Sequence, residues 1–561
     1  VVESGLALVV VPTVALALDQ EQALNGILPY PLAYQGGADP NSSTIRQTIR
    51  ENVKAGKQRV IFTSPENVIG SLFSVLKSAA TNGQLTHFVV DEAHMVYEWG
   101  NDFRSSFQSM VGVWQTFHKA SCGKLKTILL SATYTATSKQ LLESLFSMDN
   151  EFAFWSSLKL REEPSFWVKE CDDVSEQKTR LLEVLCNAPR PMIVYTTKVA
   201  HANDVYDFIR TFGYTRVGLL TGATNTEGRR CLVSSWRADE IDVMVGTSAF
   251  GLGIDKSDVR TVLHLCVPET ADRFYQEVGR GGRDGKACLS FLFYTRENLR
   301  DAEVLSRQTI ITAEKGWSRW RKMFDSAKRL ENKLIIDLSV RPDIDLEYGD
   351  YNENWNLKTL LLMVQARLIR LSQAQPVDNL EGEYNHQKSQ SNIAVQAIDH
   401  NYVEESYWKN KIQLVRSSIR EQSVLGINTM LAILRGKECT GEILQKFYEL
   451  EISPVAVACG GCPSCRANNI PIRQNILPSS LRSWSKYYWE FYGELKKLFD
   501  NSRNIYIEYP DYWETEKEGM DNVFKFISWA TSRGIQSVVV EDHSRETILE
   551  KLVKSKSTLF V

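Results

Sequence analysis

An acidic pair stands directly after a short apolar run early in the chain. The run covers residues 88–90, and Asp91, Glu92, Ala93 and His94 follow it. In an α/β sheet, ligands bind at the carboxyl ends of the strands, which is where this pair would lie. A first carboxylate can hold Mg²⁺ through water, and a second can orient or deprotonate the water that attacks a phosphoanhydride. A surface acidic turn is the alternative, and the neighbouring motifs argue against it.

Loops of small and hydroxyl residues follow several other predicted strands. Backbone N–H groups and short side chains in such loops can approach phosphates closely. The residues concerned are Pro12, Thr13, Ser64, Ser131, Thr133, Thr247, Gly253 and Asp255. A later segment, residues 276–285, holds Gln276, Arg280 and Arg283. Two arginines three positions apart on a helical turn share a face, so both can reach one γ-phosphate.

A cysteine run near residue 460 has the spacing of a metal site. Cys459, Cys462 and Cys465 form a C-x₂-C-x₂-C pattern, with Gly and Pro in the turns between them. Thiolates at this spacing can converge on one tetrahedral ion, which favours Zn²⁺. An iron–sulfur cluster is an alternative because four thiolates also suit iron, and incidental buried thiols are another. Either metal would make this region structural rather than catalytic.

The order and content of these motifs resemble the superfamily 2 helicases, and two segments resemble the RecQ helicases in particular. Residues 98–107, just beyond the acidic pair, resemble the aromatic-rich loop that couples DNA contact to ATP hydrolysis in that family. That segment contains Trp99, Phe103, Arg104 and Phe107. Residues 274–285 resemble the family's arginine motif, although Gly281 stands where the family usually has alanine. The resemblance is dense from residue 9 to about residue 294.

The resemblance implies ATP and Mg²⁺ held between two RecA-like domains, with single-stranded DNA running across both. On the nucleotide side it implies roles for Asp91 and Glu92 as the Walker B pair, and for Gly253, Asp255, Gln276, Arg280 and Arg283. For DNA contact or coupling it implies Pro12, Thr13, Ser64, Trp99, Phe103, Arg104, Ser131, Thr133 and Thr247, with His94 relaying between nucleotide and DNA. Single-stranded bases stack on aromatic side chains whatever their sequence, and core packing is the alternative for Trp99, Phe103 and Phe107.

The cysteine run resembles the RecQ zinc module, in which one cysteine, a helix and three clustered cysteines follow one another. This resemblance implies Cys439 as the fourth ligand, together with Cys459, Cys462 and Cys465. We therefore predict one Zn²⁺ ion bound by four thiolates, and the iron–sulfur alternative stays open.

Residues 355–371 could form the recognition helix and first wing strand of a winged helix. Lys358, Arg367 and Arg370 would then face DNA phosphates, and an ordinary packed helix is the alternative. This segment precedes the cysteine run, whereas in typical RecQ proteins the winged helix follows it. The unusual order resembles RecQ-like proteins of bacterial DNA-defence or DNA-modification systems, such as the DpdF-like group.

A nucleotide motor of this kind needs a Gly-rich loop that ends in Gly-Lys-Ser/Thr. The Gly-Lys pairs at residues 56–57, 123–124 and 285–286 are not followed by a hydroxyl residue. In the family the loop precedes the strand at residues 9–12 by about 15–25 residues, and only eight residues stand before that strand here. We therefore expect a fragment of a longer protein that binds ATP poorly by itself, and a pseudo-motor is the alternative.

Composition excludes several classes of protein. A net charge of −3 over 561 residues provides no overall basic field, so binding to nucleic acid must come from local grooves. No apolar run reaches the length of about 18 residues that a membrane span needs, and no signal peptide is recognisable. The ten cysteines are not spaced as a disulfide framework, which predicts reduced thiols and a cytoplasmic protein.

The alternation of short strands and helices predicts an α/β fold. Strands are predicted at residues 6–11, 60–63, 88–90, 127–130, 192–195, 217–220, 243–245, 262–265 and 289–294, and a basic helix over residues 317–330. We expect two tandem RecA-like parallel-sheet domains, a helical or winged-helix region, a Cys₄ zinc-binding region and a small C-terminal α/β domain. The predicted boundaries are residues 1–158, 159–310, 311–400, 401–470 and 471–561. The last domain carries no recognisable motif, and its aromatic residues suit a protein partner or a core.

The predicted function is an ATP- and Mg²⁺-dependent DNA helicase that moves 3′ to 5′ along single-stranded DNA and unwinds duplexes. DNA, as single strands and duplex junctions, is the expected partner, and no membrane contact is expected. A DNA-stimulated ATPase that does not separate strands is one alternative. A non-catalytic DNA-binding scaffold is the other.

Overall fold

A computed structural model of the chain describes most of the first 471 residues. The described residues are 5–24, 26–28, 31–36, 40–96, 105–132, 134–147, 152–156, 159–247, 256–307, 310–330, 333–342, 350–372, 392–450, 455–471, 521–522 and 525. Six predicted site residues lie outside them, namely Trp99, Phe103, Arg104, Thr133, Gly253 and Asp255. The predicted elements of the C-terminal domain, at residues 483–499, 505–509, 537–541 and 558–561, also lie outside them.

The first sheet has five parallel strands in the order β2-β3-β1-β4-β5. The strands are β1 (Leu6–Val10), β2 (Ala33–Tyr34), β3 (Val60–Thr63), β4 (Leu85–Val90) and β5 (Lys126–Leu129). The helices are α1 (Val14–Ala23), α2 (Pro40–Lys54), α3 (Pro65–Ile69), α4 (Phe73–Thr81), a 3₁₀ helix (Ala93–Val96), α5 (Ser105–Ala120) and α6 (Ala136–Phe146). Four of the strands match short apolar runs of the sequence, whereas the two-residue β2 is too short to leave a pattern.

The second sheet has six parallel strands in the order β6-β11-β10-β7-β9-β8. They are β6 (Pro164–Glu170), β7 (Met192–Tyr195), β8 (Val217–Leu220), β9 (Val243–Gly246), β10 (Thr261–His264) and β11 (Cys288–Tyr294). The accompanying helices are α7 (Val174–Asn187), α8 (Val199–Thr211), α9 (Thr226–Arg237), α10 (Ala271–Val278) and α11 (Arg296–Ser306). The predicted pair of successive parallel α/β domains is thereby confirmed. The edge strand β6 was not predicted, because much of it is exposed and its apolar pattern is weak.

An antiparallel sheet follows, in the order β12-β13-β15-β14. Its elements are α12 (Ala313–Ser326), β12 (Lys328–Leu330), β13 (Lys333–Asp337), α13 (Asp350–Gln365), β14 (Ile369–Ser372), β15 (Asn392–Ala397) and α14 (Glu405–Arg435). Two short helices come later, α15 (Thr440–Tyr448) and α16 (Pro463–Ala467). The sequence suggested one helix over residues 317–330, but α12 ends at Ser326 and the next residues pair with β13.

The helix and strand of the suggested winged helix exist as α13 and β14. Four consecutive residues of α13, from Leu360 to Met363, are buried in the core beside this sheet. Arg367 and Arg370 are exposed, whereas Lys358 is half-buried and its ammonium lies 4.8 Å from the Trp355 ring centre. Burial lowers the pKa of Lys358. The segment therefore packs as an ordinary helix does, and contact of its basic residues with phosphates stays a prediction.

The chain divides into two compact units. One contains the described parts of Val1–Leu158, Val304–Asn428 and Gln445–Ala456, and the other those of Lys159–Glu303, Thr429–Leu444 and Val457–Val561. The first sheet and the antiparallel sheet belong to the first unit, and the second sheet and the cysteine run belong to the second. The finer division into five domains stays a prediction. Among the described helices, none combines the length and apolar character needed to cross a membrane.

Close packing inside the first unit depends on a glycine of α5. A Cβ atom added to Gly112 would lie 2.7 Å from the carbonyl oxygen of Leu371, in β14. Real Cβ contacts do not come that close, and a backbone oxygen cannot turn aside as a long side chain can. The absence of a side chain at Gly112 therefore lets α5 approach the antiparallel sheet.

We expect Gly112→Val to destabilise the first unit by about 2 kcal/mol, since overpacking a filled contact costs about 1–3 kcal/mol. The free energy of unfolding in urea measures this change. Lys119→Val is the matched control, because Lys119 is exposed on the same helix and receives the same side chain. Equal unfolding midpoints for the two variants would show that α5 and β14 do not pack this tightly.

Candidate nucleotide site and cysteine centre

Four strands of the first sheet end in one row. Val10 at the end of β1 pairs with Thr63 and with Val90, and Val90 pairs with Leu129. The residues that follow each strand therefore lie along one edge of the sheet. These residues include Pro12, Thr13, Ser64, Asp91, Glu92 and Ser131, all of which the sequence singled out. The carboxyl edge of a parallel sheet is where such folds bind ligands.

The acidic pair forms a tight turn at the end of β4. The Asp91 N–H donates to the Val10 carbonyl at 2.9 Å, and the Glu92 N–H donates to Asp91 Oδ1 at 3.0 Å. Glu92 has a φ of 51°, in the left-handed region that residues other than glycine rarely adopt. Strained backbone of this kind is concentrated at functional sites. Burial raises the pKa of the Asp91 carboxyl, against the opposing effects of the Glu92 N–H and of His94.

A buried histidine joins the acidic turn to the end of β5. His94 Nδ1 lies 3.0 Å from Ser131 Oγ and 3.2 Å from Glu92 Oε2. The Ala93 N–H also donates to the Leu130 carbonyl at 2.7 Å. The structure thus brings together His94 and Ser131, which are 37 positions apart in the sequence. His94 Nδ1 therefore contacts both the Ser131 loop and the Glu92 carboxylate.

Tyr134 belongs to the same corner, and no motif in the sequence singled it out. Its hydroxyl donates to the Leu129 carbonyl at 3.0 Å. Burial, together with the negative charges of Glu92 and Asp91, raises the pKa of Tyr134 to about 12. Its place just after the Ser131–Thr133 loop is the one feature of the sequence that could have drawn attention to it.

Two predicted DNA-contact residues stand at the N-termini of helices. Thr13 is the N-cap of α1, and its hydroxyl accepts from the Leu16 N–H at 3.2 Å. Ser64 precedes α3, and its hydroxyl accepts from Asn67 Nδ2 at 3.4 Å. These contacts give both hydroxyls a structural role, and their contact with DNA stays a prediction. Phe107, considered for base stacking, is fully buried in α5, so the core-packing alternative applies to it.

The arginine motif begins in the last turn of α10 and continues into the loop before β11, where the Gly282 N–H donates to the Val259 carbonyl ahead of β10. Gln276 Nε2 donates to Asp272 Oδ2 at 3.2 Å, and Arg283 Nε donates to the Gly279 carbonyl at 3.3 Å. Arg280 lies near the hydroxyl of buried Tyr195 at the end of β7 and lowers the pKa of that hydroxyl, although burial outweighs this effect. Gln276 therefore lies in the last turn of α10, and Arg280 and Arg283 lie in the loop that follows it. Thr247, directly after β9, is buried.

A buried hydrogen bond anchors α10 to the sheet. Glu277 Oε2 lies 2.9 Å from His264 Nε2, and Arg273 Nε donates to Glu277 Oε1 at 3.3 Å. Burial alone would raise the pKa of Glu277, but the hydrogen bonds and charges of His264 and Arg273 lower it overall. The helix that carries the arginine motif is consequently held in a defined orientation.

The unusual glycine of the motif has a packing explanation. A Cβ atom at Gly281 would lie 2.7 Å from Cys288 Sγ, at the start of β11. The sulfur atom thus fills the space in which the usual alanine would place its methyl group. Gly282 has a φ of +63°, and its Cβ would lie 2.5 Å from the Lys286 carbonyl oxygen. Both glycines are required for the loop to close against β11.

The four predicted metal ligands come together. The sulfur atoms of Cys439, Cys459, Cys462 and Cys465 all lie within 4.8 Å of one another. Recorded separations are 3.5 Å for Cys462–Cys465, 3.5 Å for Cys439–Cys465 and 4.0 Å for Cys459–Cys465. A tetrahedral Zn²⁺ ion with Zn–S bonds of about 2.3 Å would separate its sulfur ligands by about 3.8 Å. The geometry of the four thiols therefore fits such an ion.

The cysteine loop is seated on the edge strand of the second sheet. The Phe166 N–H of β6 donates to the Gly461 carbonyl at 2.7 Å. The guanidinium of Arg466, next to the last cysteine, lies 3.6 Å from the Trp167 ring centre and also donates to the Phe166 carbonyl. A side chain at Gly460 would collide with the carbonyl oxygens of Glu162 and Pro164. The cysteine centre thus covers a sheet edge that would otherwise be open.

We expect Cys462→Ser to lose the bound metal and to lower the thermal unfolding midpoint of the second unit, because three thiolates hold a structural ion poorly. Elemental analysis by mass spectrometry measures the loss and distinguishes zinc from iron. Cys186→Ser is the matched control, since Cys186 is exposed in α7 and distant in sequence from the cluster. Retention of a full metal complement by Cys462→Ser would contradict the assignment.

Two helicase family models match parts of this chain. The DEAD/DEAH box helicase family model matches residues 2–141, and the helicase conserved C-terminal domain model matches residues 176–285. The chain is 28% identical over 349 residues to the probable ATP-dependent DNA helicase RecS of Bacillus subtilis, and 29% identical over 313 residues to the ATP-dependent DNA helicase RecQ of that organism. It is 28% identical over 301 residues to the ATP-dependent DNA helicase Q-like 4B of Arabidopsis thaliana.

The aligned regions cover 62%, 54% and 52% of this chain. They cover 66%, 49% and 25% of these relatives, so the chain spans less than two thirds of the length of each. Residues 2–141 and 176–285 thus match the two halves of a DEAD/DEAH box helicase. Together with the RecQ-type relatives, these matches confirm the resemblance to RecQ-like superfamily 2 helicases that was found in the sequence.

Proposed function

We propose that this chain is the motor of an ATP-dependent DNA helicase of RecQ type. The observation that carries the proposal is the turn of Asp91 and Glu92 at the carboxyl edge of the first sheet, linked through His94 to Ser131. Two carboxylates at this edge suit phosphoanhydride hydrolysis, and a contact to a neighbouring loop suits coupling of hydrolysis to movement. The helicase names of the similar proteins support the same activity.

The proposed chemistry divides the work between the two carboxylates. Asp91 would hold Mg²⁺, and the ion when bound supplies positive charge that offsets the charge of the nucleotide phosphates. Glu92 would orient the attacking water and accept its proton, while His94 fixes the position of the Glu92 carboxylate. We further propose that Arg280 and Arg283 stabilise negative charge that develops on the γ-phosphate.

The contact between His94 and Ser131 suggests how DNA could control hydrolysis. Binding of a strand against the loops after β1, β3 and β5 would shift Ser131, and His94 would transmit that shift to Glu92. We propose that the translocated strand is single-stranded DNA and that movement is 3′ to 5′. The Cys₄ centre would hold Zn²⁺ in a structural role. A protein partner for the C-terminal residues and a cytoplasmic location stay predictions.

We expect Glu92→Gln to lower the kcat of DNA-stimulated ATP hydrolysis by about 10²–10⁴-fold, because the amide cannot accept the proton of the attacking water. Turnover is measured with and without single-stranded DNA on the protein expressed from its complete gene. Glu51→Gln serves as the control, since Glu51 is an exposed carboxylate on α2 of the same unit. A Glu92→Gln variant that hydrolyses ATP as fast as the wild type would reject the assigned role.

A strand-displacement assay separates the proposed helicase from the two alternatives. We expect ATP-dependent unwinding of a duplex with a 3′ single-stranded tail and none of the matching duplex with a 5′ tail. ATP turnover without displacement of either duplex would indicate a translocase that does not separate strands. DNA binding without any turnover in the complete protein would leave a scaffold with the fold of a helicase.

A further inference from the structure

An arginine outside the recognised motifs holds the loop that carries the two motif arginines. Arg161 lies three residues before β6, and its side chain is 23% exposed. Arg161 Nη1 donates to the Gly279 carbonyl at 2.6 Å, and Arg161 Nη2 donates to the Gly282 carbonyl at 2.6 Å. Gly279 directly precedes Arg280 in the chain, and Gly282 directly precedes Arg283. One planar guanidinium therefore spans the backbone of the loop at two points.

Arg161 is itself fixed by further contacts. Its Nε donates to Glu163 Oε2 at 3.2 Å, and its backbone N–H donates to the Tyr275 hydroxyl at 2.8 Å. The Glu163 carbonyl accepts from the Cys288 N–H at 2.9 Å, where β11 begins. Hydrogen bonds from a charged donor are stronger than neutral ones, and a rigid fork loses little entropy when both arms are occupied.

The place of the contact explains why an arginine is suited to it. Gly279 is the C-cap of α10, and the last carbonyls of a helix have no partner inside the helix. A cation at that end also interacts favourably with the helix dipole. A lysine would bring one ammonium group and could not present two parallel N–H donors to two carbonyls.

The other side of the Arg161 segment is also restrained. The cysteine loop packs against it so closely that Gly460 has no room for a side chain beside the Glu162 and Pro164 carbonyls. A Cβ atom added to Gly282 would lie only 2.9 Å from Glu163 Cβ, so the arginine loop is also in close contact with this segment. Residues 161–164 therefore lie between the cysteine loop and the arginine loop and are in contact with both.

We propose that Arg161 is a positioning residue for ATP hydrolysis. By holding the Gly279 and Gly282 carbonyls, it sets the directions in which Arg280 and Arg283 leave the loop. This inference rests on the proposed function, because it assigns a supporting residue to the same reaction. Arg161 touches no reacting atom and acts only through the two arginines. A misplacement of about 1 Å far from the chemistry can reduce a rate about 10²-fold.

The kinetic test compares Arg161→Ala with the wild type in DNA-stimulated ATP hydrolysis. We expect kcat to fall about 10- to 100-fold while the KM for ATP changes less than about twofold, because nucleotide binding is retained and only the arginine geometry is lost. Arg161→Lys should not restore kcat, since it offers one donor group. Arg180→Ala is the control, because Arg180 forms surface ion pairs with Glu176 and Glu183 in the same unit.

A double-mutant cycle decides whether Arg161 acts through the motif. In a background that carries both Arg280→Ala and Arg283→Ala, adding Arg161→Ala should cause less than about a twofold further loss of the residual kcat. Multiplication of the loss caused by Arg161→Ala with the loss of that background would overturn the inference, as would an unchanged kcat in Arg161→Ala beside an active wild type. Absence of turnover in the wild type would instead reject the proposed function, and this inference with it. If Arg161→Ala does not fold, Arg161→Gln, which keeps one amide donor, enters the same cycle.

Discussion

Parallel backbone ladders set the geometry on which the first candidate site depends. Because Val10, Thr63, Val90 and Leu129 stand in one row, the loops after four strands begin at the same edge. The hydrogen bonds of the ladder leave no freedom to shift one strand without moving its loop. The short contacts at this edge, above all those of His94, are possible only because the strands end together.

The second sheet uses a different means of placing its functional loop. The arginine motif does not follow the carboxyl end of a strand but covers the end of α10 and the loop before β11, so its position depends on how that helix and its C-terminal turn are held. Glu277 binds the helix to β10 through His264, and Arg161 holds the turn beyond it. The close approach of Cys288 to Gly281 completes the packing, which shows how a departure from the family pattern can be accommodated by one neighbouring residue.

The cysteine loop also packs against the segment that holds the arginine loop. Its loop hydrogen-bonds to β6 and leaves space only for a glycine at residue 460. A module that is structural in its chemistry can thus support residues 161–164, which in turn contact the arginine loop. This relation lies within one compact unit, and it gives the four cysteines a place in the architecture beyond the local fold of the cysteine run.

The sequence by itself determined the motifs and most strands. Strands at residues 60–63, 192–195 and 217–220 were predicted with the observed bounds, because β-branched apolar runs between polar loops are a local signal. Only the tertiary structure decided that Thr13 caps a helix, that Phe107 is core, and that Arg161 meets a loop 118 positions away. These outcomes depend on contacts between distant segments, which local periodicity does not encode. The strand β6 was not predicted, because its edge position leaves little apolar pattern to recognise.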